Sequence, residues 1–65
     1  MEDNPIYESY ARLEQIIMDS TLDASKFVSG NNSAGTRVRK AMQEVKKIAQ
    51  DIRVEVQEQK NSLPV

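Results

Sequence analysis

Arg37, Arg39 and Lys40 have the most to offer chemically, because they are gathered in one short run, GTRVRKA, from Gly35 to Ala41. A helical pattern follows them, so they belong to the first turns of a helix, where positive charge opposes the helix dipole. Such cations are slightly unfavourable for stability at that end. An anion bound there would gain from the free N–H groups, the dipole and the guanidinium forks together, and phosphate fits best. Lys46 and Lys47 extend the positive charge, and Arg39, Lys46, Arg53 and Lys60 form a stripe at intervals of seven. From charge pattern alone, the plainer reading of such a stripe is the solvated flank of a helical bundle, with lysines and glutamates in intrahelical pairs. Glu44 and Asp51 partly neutralise its middle, whereas the 37–40 cluster has no acidic sequence neighbour. Anion binding is therefore expected at Arg37, Arg39 and Lys40.

Other chemistries find little support. The chain has no histidine and no cysteine, which removes the usual general base near neutral pH, the commonest zinc ligands and any disulfide framework. Glu14, Asp19 and Asp23 do not form a metal set, and no Walker-type phosphate loop occurs. No catalytic residue, metal site, cofactor or small-molecule substrate is expected. Tyr7, Tyr10 and Phe27 could stack on bases, but they lie in the acidic first half, and core packing is their expected role. No apolar run approaches the roughly 20 residues of a membrane span, and the acidic start at Glu2 and Asp3 is unlike a signal peptide. A cytoplasmic location away from membranes is the expectation.

The net charge of −1 hides an uneven division. Residues 1–30 hold six acidic groups against Arg12 and Lys26, a balance of −4, whereas residues 31–65 hold seven basic groups against four acidic, a balance of +3. The second half is the one suited to a polyanion.

The elements that position these charges can be read from apolar spacing. Asn4-Pro5 marks a helix start, since proline fits the first turn. Ile6, Tyr10, Leu13, Ile17, Ser20, Ala24 and Phe27 then recur in steps of four and three, predicting one helical face. Gly30 suits a helix stop, and Asn31, Asn32 and Ser33 are good caps for the next helix. Gly35 would be costly inside that helix unless it permits close approach, to another helix or to phosphate. Val38, Ala41, Val45, Ile48 and Ile52 form the second seam. The pattern predicts an all-α antiparallel two-helix hairpin in one domain over 1–65, with helices at about 5–29 and 34–60, a turn at about 30–33 and a frayed tail at 61–65. Ile16, Met18, Leu22, Met42, Val54 and Val56 lie beside the seams. The hairpin is therefore expected to self-associate as a homodimer or homotetramer, completing a four-helix bundle.

The stretch from Gly30 to Lys47, GNNSAGTRVRKAMQEVKK, resembles the N-terminal domain of the chlamydial histone-like proteins, a linker-histone-like family of bacteria and phages. Gly30-Asn31, Ala34, Gly35 and the Arg37-x-Arg39-Lys40 group carry the resemblance, together with the Glu/Lys-rich helix that follows. It implies a non-enzymatic, nucleoid-associated protein that binds double-stranded DNA without a cofactor and organises chromatin. Its basic residues map onto Arg37, Arg39, Lys40, Lys46 and Lys47. The chlamydial members carry a long Lys/Ala-rich tail, whereas this sequence ends at NSLPV, so each subunit should make few phosphate contacts and bind with little sequence preference. The competing reading is a protein–protein interaction or assembly module without DNA affinity.

Overall fold

Asn4 holds an extended backbone and accepts a hydrogen bond from the Ile6 N–H at 2.9 Å, which satisfies one of the free amides at a helix start. Pro5 occupies the first helical position, and α1 runs from Pro5 to Val28. The computed structural model describes residues 4–62, and among them the only regular elements are α1 and α2, Asn32–Ser62. The all-α antiparallel hairpin is thus the observed fold.

The bend is tighter than the sequence pattern predicts. Gly30 adopts φ +111°, its N–H donates to the Phe27 carbonyl, and the Asn31 N–H donates to the Lys26 carbonyl, each at 2.9 Å. This paired arrangement is a Schellman stop, and it needs a left-handed residue that glycine supplies without strain. Asn31 then caps α2 at once, its Oδ1 accepting from the Ala34 N–H at 3.1 Å. Because Asn31 takes this role, rather than Asn32 or Ser33, α2 begins two residues earlier than expected. At its other end α2 includes Asn61 and Ser62, where a frayed tail was expected; the rest of that tail lies outside the described residues.

The seam of α2 follows the expected pattern, with Ala34 and Ile48 buried and Val38, Ala41, Val45 and Ile52 half-buried. On α1 the expected face is rotated. Ser9 and Ser20 are buried and Ile6, Leu13, Ile16 and Asp23 are half-buried, whereas Tyr10, Ile17, Ala24 and Phe27 are exposed. Small Ser9 and Ser20 let the helices approach closely, which brings Ile16 inward and moves Tyr10 and Ile17 to one edge. Met18, Leu22, Met42, Val54 and Val56 are exposed, as the pattern implies.

Polar contacts set the register. At the open end Asn4 and Gln59 exchange two amide hydrogen bonds, of 3.2 and 2.8 Å, and the Ser9 hydroxyl donates to the Glu55 carboxylate at 2.9 Å. Near the bend Arg37 Nε pairs with Asp23 Oδ1 at 2.9 Å. A one-turn slip would break all three contacts.

Gly35 is explained by close approach. A Cβ built there would lie 2.6 Å from Cδ1 and 2.7 Å from Cε1 of the Phe27 ring, well inside van der Waals contact. Gly35→Ala should therefore destabilise the chain by about 1–2 kcal/mol by displacing the ring. In a Phe27→Ala background the same change should stabilise by about 0.5–1 kcal/mol, because only the helix-propensity gain remains. Denaturant melts of the four-member cycle check this, and an unchanged sign in both backgrounds would refute the contact.

Candidate nucleic-acid interface

The candidate cations are divided between two surfaces. Arg37 leans across the bend to Asp23, with its side chain 49% exposed against 22% for the aspartate. The pairing removes Arg37 from the cluster with Arg39 and Lys40, and it corrects the inference that residues 37–40 are free of acids. Asp23 lies fourteen residues away in sequence, so only the hairpin brings it near. As a partly exposed ion pair it contributes about 0.2–1 kcal/mol. Its larger effect is to occupy one edge of the guanidinium.

Arg39, Lys40, Lys46 and Lys47 are exposed on the side of α2 that faces away from α1, and Arg53 joins them. At about 100° per residue, Arg39, Lys46 and Arg53 form one row and Lys40 and Lys47 another, with Gln43 and Gln50 between. Successive members of a row stand about 10.5 Å apart along the helix. Two shallow open depressions follow this surface. One, of about 630 Å³, is lined by Gln43, Lys46, Lys47, Ala49, Gln50 and Arg53. The other, of about 250 Å³, is lined by Thr36, Arg39, Lys40 and Gln43. Gln43 borders both, so the two form one track, walled by the stems of polar and charged side chains.

This surface is more regular than the sequence reading gives it. Arg53 belongs to it, as the stripe at intervals of seven implies, and so do Gln43 and Gln50, which charge counting passes over. The glutamines follow the same seven-residue interval, the one signal that could have found them. Three of the four acidic residues of α2 lie off this face, with Glu44 and Asp51 towards the edge marked by the Asp23–Arg37 pair and Glu55 turned inward to Ser9, whereas Glu58, five turns beyond Lys40, closes the far end of the Lys40–Lys47 row. No aromatic side chain lies on the track, since Tyr7, Tyr10 and Phe27 all belong to α1. Stacking of unpaired bases is therefore not supplied here, whereas amide and cationic donors for a phosphate backbone are.

The described residues contain no group of three or more His, Cys, Asp or Glu placed to hold a metal ion, and no helix among them is long and apolar enough to cross a membrane. The two depressions are open surface features without an enclosed carboxylate or nucleophile.

A protein-family model described as histone H1-like protein Hc1 matches residues 7–62, which include nearly all of α1, the bend and the whole of α2. Neither a curated protein nor a solved structure matches the chain. The family match covers the residues on which the resemblance to the chlamydial histone-like proteins rests. The chain belongs to the histone H1-like Hc1 family, a non-enzymatic class of histone-like DNA-binding proteins.

Proposed function

We propose that the protein is a nucleoid-associated architectural factor that binds the phosphate backbone of double-stranded DNA with little sequence specificity. The observation that carries this reading is the outer face of α2 from Arg39 to Arg53, where two cationic rows flank a line of glutamines. Arg39, Lys40, Lys46 and Lys47 make the principal phosphate contacts, Arg53 extends them, and Arg37 contributes once an incoming phosphate competes with Asp23. Phosphate contacts position a protein without reading sequence, and two glutamines supply few base-edge contacts, so discrimination between sequences is small.

A single hairpin offers only a handful of cations within a chain of net charge −1. Useful affinity then needs several subunits acting together, as a homodimer or homotetramer whose basic faces engage one nucleoid. The exposed apolar side chains on both helices support self-association.

Electrophoretic mobility shift with unrelated duplexes of equal length tests the reading. Retardation of all of them to a similar extent is expected, with log affinity falling against log salt by a slope of about 3–5 per bound subunit. Failure to retard any duplex at low salt would leave the assembly-module reading in its place.

A further inference from the structure

Each helix has an edge that the hairpin leaves uncovered. Turning about 100° per residue from the seam, Asp23 and Arg37 mark one edge of the hairpin. The opposite edge carries Tyr10, Ile17, Ala24 and Val28 from α1, with Met42, Ala49 and Val56 from α2. All seven are exposed, including Tyr10 at 49%, Ile17 at 43%, Met42 at 40% and Val56 at 41%. The accessible surface is 5375 Å², whereas a compact monomer of 7.4 kDa should expose about 4,200 Å². The excess is of the order of 1,000 Å², comparable with the roughly 800 Å² that each partner buries in a standard interface.

We infer that a second copy of this chain seats on that edge about a two-fold axis parallel to the helices, with both bends at the same end. Two observations select this arrangement. The first is register. The pairs Asn4–Gln59, Ser9–Glu55 and Asp23–Arg37 fix the relative heights of α1 and α2. On that scale Tyr10 stands midway between Val56 and Ala49, and Ile17 midway between Ala49 and Met42. An axis parallel to the helices preserves heights, so Tyr10 enters the gap between the partner subunit's Val56 and Ala49, and Ile17 the next gap.

The second observation is charge. This axis sets the acidic α1 of one copy against the basic α2 of the other, bringing Glu14 beside the partner subunit's Lys46. The perpendicular axis would oppose Glu14 to its own copy and Lys46 to its own, which is repulsive. The attractive choice also turns the outer faces of the two α2 helices to opposite sides of the bundle. For its DNA half the inference rests on the function proposed above: such a dimer holds one duplex on each side and bridges them.

The arrangement is tested first without DNA. Sedimentation equilibrium should show a dimer of the wild type, and Ala49→Glu should weaken it by at least about tenfold, because an unpaired carboxylate would be buried at the centre of the contact. Ala49 is exposed within the hairpin, so circular dichroism should still show a helical chain. Glu14→Lys should also weaken the dimer, and Glu14→Lys/Lys46→Glu should restore it. The chain has no native cysteine, so Asn32→Cys takes a single spin label per copy. A label separation on the order of 20 Å is expected, since neighbouring helices pack 8–10 Å apart. A monomer, a double exchange that does not rescue, or a separation near the 53 Å length of the hairpin would overturn the arrangement.

Bridging is read separately, by asking whether bead-bound duplex captures a second, labelled duplex in the presence of the protein. Co-capture by the wild type and loss of co-capture by Ile17→Glu, a change on α1 away from the cationic track, are expected. A dimer that retards one duplex but captures no second would overturn bridging. A dimer with no affinity for any duplex would overturn the proposed function and leave the seating of the second copy intact.

Discussion

Ile48→Ala is expected to abolish most of the helical signal at room temperature. Ile48 is only 2% exposed and, with Ala34, is one of two buried apolar residues among those described. Truncating a buried isoleucine costs about 2–4 kcal/mol in lost transfer energy and residual cavity. A core in a chain this small supplies only about 3–5 kcal/mol, and no disulfide compensates here. The loss is therefore comparable with the whole stability of the fold. Far-UV circular dichroism during thermal melting reads the effect. Val54→Ala, at a position 45% exposed, should stay within about 0.5 kcal/mol of wild type. If the two variants melt alike, the seam through Ile48 is not what holds the hairpin together.

Arg39→Ala/Lys40→Ala/Lys47→Ala should lower duplex affinity by about two orders of magnitude at low salt, and should flatten the salt dependence by about three units of slope per subunit. All three side chains are exposed on the outer face of α2, and none lies at the edge assigned to the second copy. Stability and oligomeric state should therefore be unchanged. Arg37→Ala should cost less than tenfold, because its guanidinium is already engaged by Asp23. Mobility shifts across a salt series separate the two variants. Equal losses for Arg37→Ala and the triple variant would return the binding centre to the bend.

Much of this architecture is legible in the residues. Asn4-Pro5, Gly30-Asn31 and the seven-residue interval in α2 place both helices and the bend, because caps, left-handed stops and apolar periodicity act locally. The seam of α1 is less legible. Tyr7, Tyr10, Ile16, Ile17, Met18 and Leu22 spread apolar character around much of its circumference, so no single apolar line stands out. The buried line instead runs through Ser9 and Ser20, whose small size matters more than their polarity. Hydropathy alone does not reveal that choice. The candidate surface is limited in the same way: Arg39, Lys40, Lys46 and Lys47 declare themselves by charge, but the engagement of Arg37 by Asp23 depends on a contact across the bend. The unusual placement of Gly35 is a useful signal, since its apparent cost points to a close neighbour that proves to be the Phe27 ring.

The single left-handed glycine at the bend also shapes how the chain reaches this structure. With so few residues in the turn, contacts near the bend close short loops, whereas the Asn4–Gln59 contact at the far end joins residues 55 apart. Loop-closure entropy then favours assembly that starts at the Schellman stop and advances outward pair by pair, each pair shortening the loop left for the next. The hairpin closes as a zipper, and its polar clasp is the last tooth to engage and the first to release. The amides of Asn32 to Val38 and those beside Gln59 thus sit at opposite ends of one gradient of opening.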